Sequence, residues 1–285
     1  MRRSLLFIPS NSPAMLQNAD IFGADGVIFD LEDAVSIHEK DAARTLLDTF
    51  LSMYPLNPLE IIVRINQVEQ SIEIGELEKI VSNKIDTIML PKATVSSLSI
   101  LTSELNRIEL KKKLTKKIHI IPIIEMAESV LEVSDIAKLE RVNGLLLGAE
   151  DLTSDLEVQR SVESIEILMP RALIILAAKA HKIDAIDTPF IHKDDVEGLK
   201  KDALFAKQMG MNAKACIHPN QVETINDIFS PSKHEITQAL RILEVSMKPE
   251  NINKGAFSLD GKMVDKPIIE RAKKLIEKAK VWHLL

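Results

Sequence analysis

The sequence contains a single cysteine, Cys216, and this scarcity excludes two kinds of site. One thiol cannot form an intramolecular disulfide, and it cannot supply the several cysteine ligands of a structural zinc site. Such cysteine usage is typical of a reducing compartment, so we expect a cytoplasmic protein. Cys216 stands in an apolar segment, and we interpret it as a core residue.

Long hydrophobic runs and an excess of positive charge are also missing. No stretch reaches the roughly 18 apolar residues that a transmembrane helix requires. The N-terminal apolar run at 4–8 stops at a proline and is too short for the core of a signal peptide. The net charge is −6, and the densest basic segment, 111–117, stands where a predicted helix ends. We therefore expect neither a membrane nor a nucleic acid as a partner.

What the chain does have is a series of short apolar runs that alternate with amphipathic stretches. Continuous apolar runs are typical of strands covered on both faces, as in a parallel sheet. These runs occupy 4–8, 26–30, 60–65, 87–91, 118–124, 144–148, 184–187 and 213–217. This pattern predicts an α/β fold, a (β/α)8 TIM barrel, over residues 1–230. A doubly wound open sheet is the alternative, although the chain has neither a GxGxxG nor a GxxxxGK[ST] motif.

Residues 231–285 extend beyond a minimal barrel. The pattern predicts a helix over 234–247, a loop over 248–267 and a last helix over 268–282, with Pro267 suited to its first turn. We expect this C-terminal helical extension to reach a neighbouring subunit.

Nearly every predicted strand ends in a polar or charged side chain. Active sites of such barrels lie at the C-terminal ends of the strands, so these side chains should share one rim. They are Asp30, Glu32, Asp33, Arg64, Asn66, Lys92, Glu125, Glu150, Asp151, Asp187 and His218.

The residue types at this rim indicate a divalent metal. Carboxylates without cysteines or paired histidines favour a hard ion such as Mg²⁺. Glu125 and Asp151 end consecutive strands and could hold one ion together, and Arg64 offers a planar fork that matches a substrate carboxylate. The combination predicts a site for a small oxo- or hydroxy-acid. Glu150 would then orient Asp151 or a metal-bound water, and Asp155 is interpreted as a helix-start residue.

Each of these residues also has a purely structural interpretation. Glu125 could cap the following helix, and Arg64 could be the buried ion-pair partner of a neighbouring carboxylate. Glu32 could stabilise a helix N-terminus, His218 could bond only to backbone, and Asp187 could act through another residue.

The ordered strand ends resemble the citrate lyase β-subunit branch of the HpcH/HpaI aldolase and CoA-ester lyase superfamily. The matching motifs span almost the whole chain, and each is weak alone although the ordered set is specific. They are "RSLLFIPS", "FDLEDAV", "KDAAR", "VRIN", "LPK", "IIE", "LGAEDL", "IDT", "IHPNQ" and "LDGKMVDKP".

The resemblance implies a barrel that forms homo-oligomers, as trimers or hexamers, with Mg²⁺ on Glu125 and Asp151. It implies that Arg64 anchors the carboxylate of a keto acid and that Asp265 enters the active site of an adjacent subunit. The implied reaction is retro-aldol cleavage of a (3S)-citryl thioester to oxaloacetate and an acetyl thioester.

Further site residues follow from the resemblance. Asp265 would donate the proton to the departing enolate, and Glu32 is a candidate for the base that takes the hydroxyl proton. Ile217 and His218, in the "IHPNQ" motif, are candidates for substrate contact.

The chain departs from the family pattern at Ser10, Met126 and Ala213, and the stretch "NSPAMLQNAD" lacks the lysines of relatives that act on free CoA esters. It therefore resembles β subunits that work with an acyl carrier protein and a transferase subunit.

Three alternatives stay open. The chain could be a stand-alone lyase or synthase for malyl-CoA, citramalyl-CoA or methylmalyl-CoA. It could be a class I aldolase that uses Lys92 as a Schiff-base nucleophile, or a non-catalytic scaffold subunit that keeps the barrel.

Overall fold

Parallel strands close into a barrel in chain order. The computed structural model describes residues 1–54, 56, 59–68, 74–161, 163–248, 251–252 and 255–285. Each barrel strand pairs with the next, and the first pairs with the last, which closes the ring. The strands are β1 (Ser4–Pro9), β2 (Gly26–Asp30), β3 (Glu60–Arg64), β4 (Thr87–Leu90), β5 (His119–Ile124), β6 (Gly144–Leu147), β7 (Asp184–Asp187) and β8 (Ala213–Cys216). The predicted (β/α)8 barrel is confirmed, and the open-sheet alternative is wrong.

Helices separate the strands, as the amphipathic stretches predicted. Within the described residues they are α1 (Pro13–Gln17), α2 (Lys40–Met53), α3 (Ile74–Ile80), α4 (Val95–Lys112), α5 (Ala127–Leu131), α6 (Val133–Ala137), α7 (Ala149–Asp155), α8 (Leu168–His181), α9 (Val196–Met209), α10 (Asn220–Phe229), α11 (Lys233–Ser246) and α12 (Lys266–Val281). No helix in these ranges is both long enough and apolar enough to span a bilayer.

Aliphatic side chains fill the interior of the barrel. Every strand carries buried residues, and alternate positions point inward while their neighbours pack under the helices, which explains why the strand runs are continuously apolar. The inward cluster comprises Leu5, Ile28, Ile62, Met89, Ile121, Ile123, Leu146, Ile186, Ala213 and Ala215. Burial of each large side chain of this kind contributes about 1.5–3 kcal/mol.

Arg2 forms ion pairs with residues of β3 and β7 at the amino-terminal end of the barrel. Its guanidinium donates to both carboxylate oxygens of Glu60, at 2.6 and 2.7 Å, and to Asp184 at 3.0 Å. The charged groups at this end are therefore paired structural elements, whereas the opposite rim carries the candidate site.

The chain divides into two compact units, Arg2–Asn226 and Asp227–Leu285 with Met1. The division falls within α10, close to the boundary expected at residue 230. In the second unit α11 and α12 pack through Ile236, Ala239, Ala272, Ile276 and Ala279.

The prediction of a loop over 248–267 is wrong for much of this segment. Two antiparallel strands, β9 (Ala256–Leu259) and β10 (Lys262–Asp265), form a hairpin there. Asp260 and Gly261 connect them with φ values of 52° and 76°, the left-handed pair that an Asp-Gly hairpin turn uses. Residues 249–250 and 253–254 of the predicted loop lie outside the described residues.

Candidate active site

A cavity of about 430 Å³ opens at the carboxyl end of the barrel. Residues from β1, β2, β3, β5 and β6 line it, together with the segments that follow β5, β6, β7 and β8. The residues predicted at the rim or as substrate contacts that line it are Asp30, Asp33, Arg64, Glu125, Glu150, Asp151 and Ile217. The position of the cavity agrees with the rim predicted from the strand ends.

A larger cavity, about 1130 Å³, is lined by residues 160–161, 163–164 and 190–195 and by helix α9. Its walls include the ion pair of Arg171 and Asp202, but neither Glu125 nor Asp151. Size alone would select this cavity. We assign the chemistry to the smaller one because the strand-end carboxylates and Arg64 converge there.

Arg64 lies at the end of β3 in a ring of carboxylates. Its Nε and Nη2 donate to the two oxygens of Asp30 at 2.7 and 2.6 Å, and its Nη1 lies 2.9 Å from Glu32 and 3.3 Å from Asp33. Burial opposes the charge, but hydrogen bonds from Arg64 to Asp30 raise the pKa of Arg64 above its usual range. The ion-pair interpretation of Arg64 is therefore correct, and its role as a substrate anchor stays a prediction.

Glu32 is largely buried beside this guanidinium. Burial raises the pKa of Glu32 to about 7; Arg64 opposes the rise, and the neighbouring Asp33 adds to it. Its Oε2 lies within ion-pair distance of Arg64 but in a direction that makes no hydrogen bond. Glu32 can therefore exchange a proton near neutral pH, which is what a general base requires.

Glu125 follows β5 and is almost completely buried, with 3% of its surface exposed. Its Oε1 accepts a hydrogen bond from the Lys92 backbone N–H at 2.6 Å, which Lys92 presents from a left-handed conformation. The pKa of Glu125 is raised to about 8, mainly by burial and in part by the nearby charge of Asp151, while the Lys92 hydrogen bond opposes the rise.

Gly148 lets Glu125 approach the start of α7. A Cβ on Gly148 would lie 2.5 Å from Glu125 Oε2, so any side chain there would displace the carboxylate. Asp151 lies in the first turn of α7, directly after β6, the strand that neighbours β5.

One prediction for the acidic residues around Asp151 is corrected. Asp155 does not start its own helix: it ends α7 and caps a different one, because its Oδ2 accepts from the Ala127 N–H of α5 at 2.7 Å. Asp155, and not Glu125, therefore accepts the hydrogen bond from the first residue of α5. Glu150 lines the same cavity as Asp151, pairs with Arg160 at 3.1 Å and is about half exposed; its role toward Asp151 or a metal-bound water stays a prediction.

The donor set fits a hard divalent ion. The charge of Asp151 raises the pKa of Glu125, and a cation between the two carboxylates would offset this repulsion. The described residues hold no group of three or more acidic, histidine or cysteine ligands arranged around one point. Mg²⁺ usually takes only one or two protein carboxylates and leaves its other positions to substrate and water, so Glu125 and Asp151 suffice.

Glu32, His218 and Asp265 are not among the residues that line this cavity. His218 Nδ1 accepts from the Asn220 N–H at 3.3 Å, which is the backbone contact considered for it. Asp265 belongs to the C-terminal unit, where it ends β10 and its side chain caps α12 by accepting from Ile268 N at 3.3 Å.

A buried charged cluster behind β7 was missed by the sequence interpretation. Asp187 is fully buried and contacts Arg171 and Lys214, which both contact Asp202 as well. Burial opposes ionisation, but Lys214 and Arg171 lower the pKa of Asp202. The available signal was a lysine within the apolar run of β8 and an arginine within the apolar stretch of α8.

Comparison with known proteins places these features in context. Residues 3–219 match the family model described as HpcH/HpaI aldolase/citrate lyase. The chain is 36% identical to citrate lyase subunit beta of Haemophilus influenzae, over 98% of this chain and 97% of that one. It is 32% identical to a (3S)-malyl-CoA thioesterase of Cereibacter sphaeroides, over 97% and 94%. The crystal structure of CitE from Mycobacterium tuberculosis in complex with magnesium, acetoacetate and coenzyme A superposes with a TM-score of 0.79, at 30% identity and with 98% of each chain covered.

Proposed function

The chain belongs to the HpcH/HpaI aldolase/citrate lyase family, and from that premise we propose that it is a Mg²⁺-dependent carbon–carbon lyase acting on a (3S)-citryl thioester. The products are oxaloacetate and an acetyl thioester, and the chain serves as the β subunit of a citrate lyase complex. The observation that carries the proposal is the convergence of Glu125, Asp151 and Arg64 on one cavity.

Glu125 and Asp151 would hold the metal ion. When bound, Mg²⁺ supplies Lewis acidity that stabilises negative charge on the oxygens of the substrate. Gly148 leaves the space in which Glu125 Oε2 lies beside the start of α7.

Arg64 binds and orients the substrate carboxylate. Asp30 occupies its Nε and Nη2, so the Nη1 edge, which faces Glu32 and Asp33, is the one offered to the substrate. The Asp30 fork fixes the plane of the guanidinium before the substrate arrives, which reduces the entropy lost on binding.

Two chain carboxyl groups move the protons. Glu32, with a pKa near 7, takes the proton of the tertiary hydroxyl. The hydroxyl oxygen becomes the ketone of oxaloacetate as the C–C bond breaks, and the bonding electron pair passes to the enolate of the acetyl thioester. Asp265 of a neighbouring subunit then donates a proton to the enolate carbon, so the site is completed by oligomerisation.

The lysine-free segment "NSPAMLQNAD", which contains α1, supports an acyl carrier protein as the donor of the thioester. CoA ester relatives would neutralise phosphates with lysines in this segment. The partners of the chain are then an acyl carrier protein and a transferase subunit.

A second candidate is a stand-alone malyl-CoA or related CoA-ester lyase. The similarity to the (3S)-malyl-CoA thioesterase covers 97% of this chain, so the whole barrel is compatible with a smaller hydroxy-acyl group. The two candidates use the same rim and differ in the acyl group and its carrier.

The deciding experiment measures cleavage of citryl-, citramalyl- and malyl-CoA by the purified chain, and of citryl groups on an acyl carrier protein. We expect preference for the citryl group and a lower KM on the carrier protein. Efficient malyl-CoA cleavage without benefit from the carrier would establish the second candidate instead.

The same assay separates the metal mechanism from a Schiff base on Lys92. We expect EDTA to abolish cleavage and borohydride with substrate to leave the enzyme active. Trapping of Lys92 by borohydride would replace the metal mechanism, and absence of all cleavage would favour the scaffold alternative.

A further inference from the structure

Thr188 connects the end of β7 to the helix that carries Asp151. We infer that Thr188, fixed by the buried charged cluster of Arg171, Asp187, Asp202 and Lys214, is a positioning residue for Asp151. The inference rests on the proposed function, because it concerns Asp151 as a metal ligand.

Lys214 fixes the backbone of Thr188 from within the barrel wall. Its Nζ donates to Asp187 Oδ2, Asp202 Oδ2 and the carbonyl oxygen of Thr188, each at 2.6 Å. An ammonium group has three protons, so all of its donors are used. The side chains of Lys214 and Asp187 are fully buried, and that of Asp202 has 14% of its surface exposed.

Arg171 holds the acidic side of the cluster. It donates to both oxygens of Asp187, at 2.8 and 3.0 Å, and to Asp202 at 2.8 Å. Two cations therefore face two anions, and a buried arrangement of this kind is stable only while its geometry is kept. The cluster consequently resists displacement of the end of β7.

The hydroxyl of Thr188 transmits this position to α7. Its Oγ1 accepts from the Ala149 N–H at 3.3 Å, and both residues are almost fully buried. Ala149 is the first residue of α7, where backbone N–H groups have no partner within the helix. On the other side, Gly148 N donates to Ile124 O of β5 at 3.1 Å.

The start of α7 is therefore attached to the ends of both neighbouring strands, two residues before Asp151. Removal of the Thr188 hydroxyl would leave the Ala149 N–H buried without a partner and would release one of the two attachments. Groups that orient a metal ligand are typically worth about 10–100-fold in metal affinity. We expect a loss of metal affinity at the lower end of this range, because the hydrogen bond from Ala149 N to Thr188 Oγ1 is long, at 3.3 Å.

The test compares Thr188→Val with Thr188→Ser in the full chain without substrate. Valine has nearly the same shape but lacks the oxygen, whereas serine keeps it. Mn²⁺ affinity is measured by electron paramagnetic resonance, with the thermal midpoint recorded for each variant. We expect Kd for Mn²⁺, measured well below the midpoint of either variant, to rise about tenfold in Thr188→Val and to keep the wild-type value in Thr188→Ser. The unpartnered Ala149 N–H should also lower the thermal midpoint of Thr188→Val by a few degrees, which leaves the chain folded during the measurement.

Equal Mn²⁺ affinities of Thr188→Val and wild type would overturn the inference about Thr188 and leave the proposed function standing. A Thr188→Ser variant that binds Mn²⁺ as weakly as Thr188→Val would have the same consequence. A wild-type chain that binds no Mn²⁺ would overturn the proposed metal function together with the inference. If Thr188→Val does not fold, Thr188→Ala removes the same oxygen from a smaller side chain, and the same comparison with Thr188→Ser decides.

Discussion

The Arg64 guanidinium and the Asp30 carboxylate meet side by side, with Nε donating to Oδ1 at 2.7 Å and Nη2 to Oδ2 at 2.6 Å. The same Asp30 oxygens accept the backbone N–H groups of Glu32 and Ala34, at 2.9 and 3.1 Å. Asp30 thus binds the loop after β2 and the arginine at once. This loop therefore sets the direction of the Nη1 edge of Arg64, which faces Glu32 and Asp33.

Replacement of Arg64 by lysine should disable substrate binding although the charge is kept. Lysine cannot make the two-point contact with Asp30, so its ammonium has no fixed direction. We expect kcat/KM to fall about 100-fold or more, a loss of roughly 3 kcal/mol in transition-state binding. Arg160→Lys, in the loop that pairs with Glu150, is the matched control and should leave kcat/KM unchanged; an equal effect of both variants would contradict the role of Arg64.

Neighbouring acidic residues allow a matched test of the metal site. Asp151→Asn should weaken Mg²⁺ binding by two orders of magnitude or more, because the ion loses one of its two proposed carboxylate ligands. Glu150→Gln should bind Mg²⁺ as the wild type does, since Glu150 pairs with Arg160. Titration calorimetry with Mg²⁺ measures both, and a stronger effect of Glu150→Gln would show that the ligands are wrongly assigned.

Metal affinity should depend on pH through Glu125. Burial raises the pKa of Glu125 from 4.5 to about 8, so a proton competes with the cation over that interval. Apparent Mg²⁺ affinity should fall with decreasing pH below about 8, by up to about tenfold per unit for one displaced proton.

The stability of the metal-free chain should change in the opposite direction. A raised folded-state pKa contributes stability that is complete below pH 4.5 and is lost as the pH rises to about 8. Mg²⁺ should therefore raise the thermal midpoint most at the alkaline end of this interval. A Mg²⁺ affinity that is constant across it would contradict the buried state of Glu125.

Lys214→Met should destabilise the barrel strongly. It leaves Asp187 and Asp202 without one of their two cations, and breaking a buried ion pair in this way costs about 3–5 kcal/mol. Urea unfolding followed by circular dichroism measures the loss. Lys200→Met, which removes an exposed lysine of α9, should change the free energy of unfolding by no more than about 0.5 kcal/mol; a similar small change in Lys214→Met would contradict the structural role of the cluster.

Two substitutions of Asp265 should separate its cap from its chemistry. Asparagine still accepts from Ile268 N but cannot donate a carboxylic proton, so Asp265→Asn should lower kcat about 100-fold or more without loss of stability. Asp265→Ala should lose the cap too, at a cost of about 1 kcal/mol. Mixed oligomers of Asp265→Asn and Asp151→Asn chains should recover part of the activity if sites are shared between subunits, and no recovery would place Asp265 in its own chain's site.

The barrel was predictable because each strand carries two independent signals. Runs such as 144–148 are apolar on both faces, and they end in the polar residues that the rim requires. The proximity of Glu125 and Asp151 was predictable from strand order alone, since β5 and β6 are neighbours in both the chain and the barrel.

Contacts between distant segments could not be obtained in the same way. The Asp155 cap on α5 joins residues 28 positions apart, and the spacing of acidic residues in α7 gives no sign of it. The β9–β10 hairpin was a different kind of error. Its Asp260-Gly261 signal was present, but it lay between two helices and in a segment rich in polar residues.

Cys216 has a practical consequence for spectroscopy. Complete burial raises the pKa of its thiol to about 12, so maleimides and methanethiosulfonates have no reactive thiolate on the native chain. A cysteine substituted for the exposed Met263, two residues before Asp265, would take up a fluorophore or a nitroxide at one known position. Distances between labels in an assembled oligomer would then report directly where the C-terminal unit of each chain lies, without prior removal of the native cysteine.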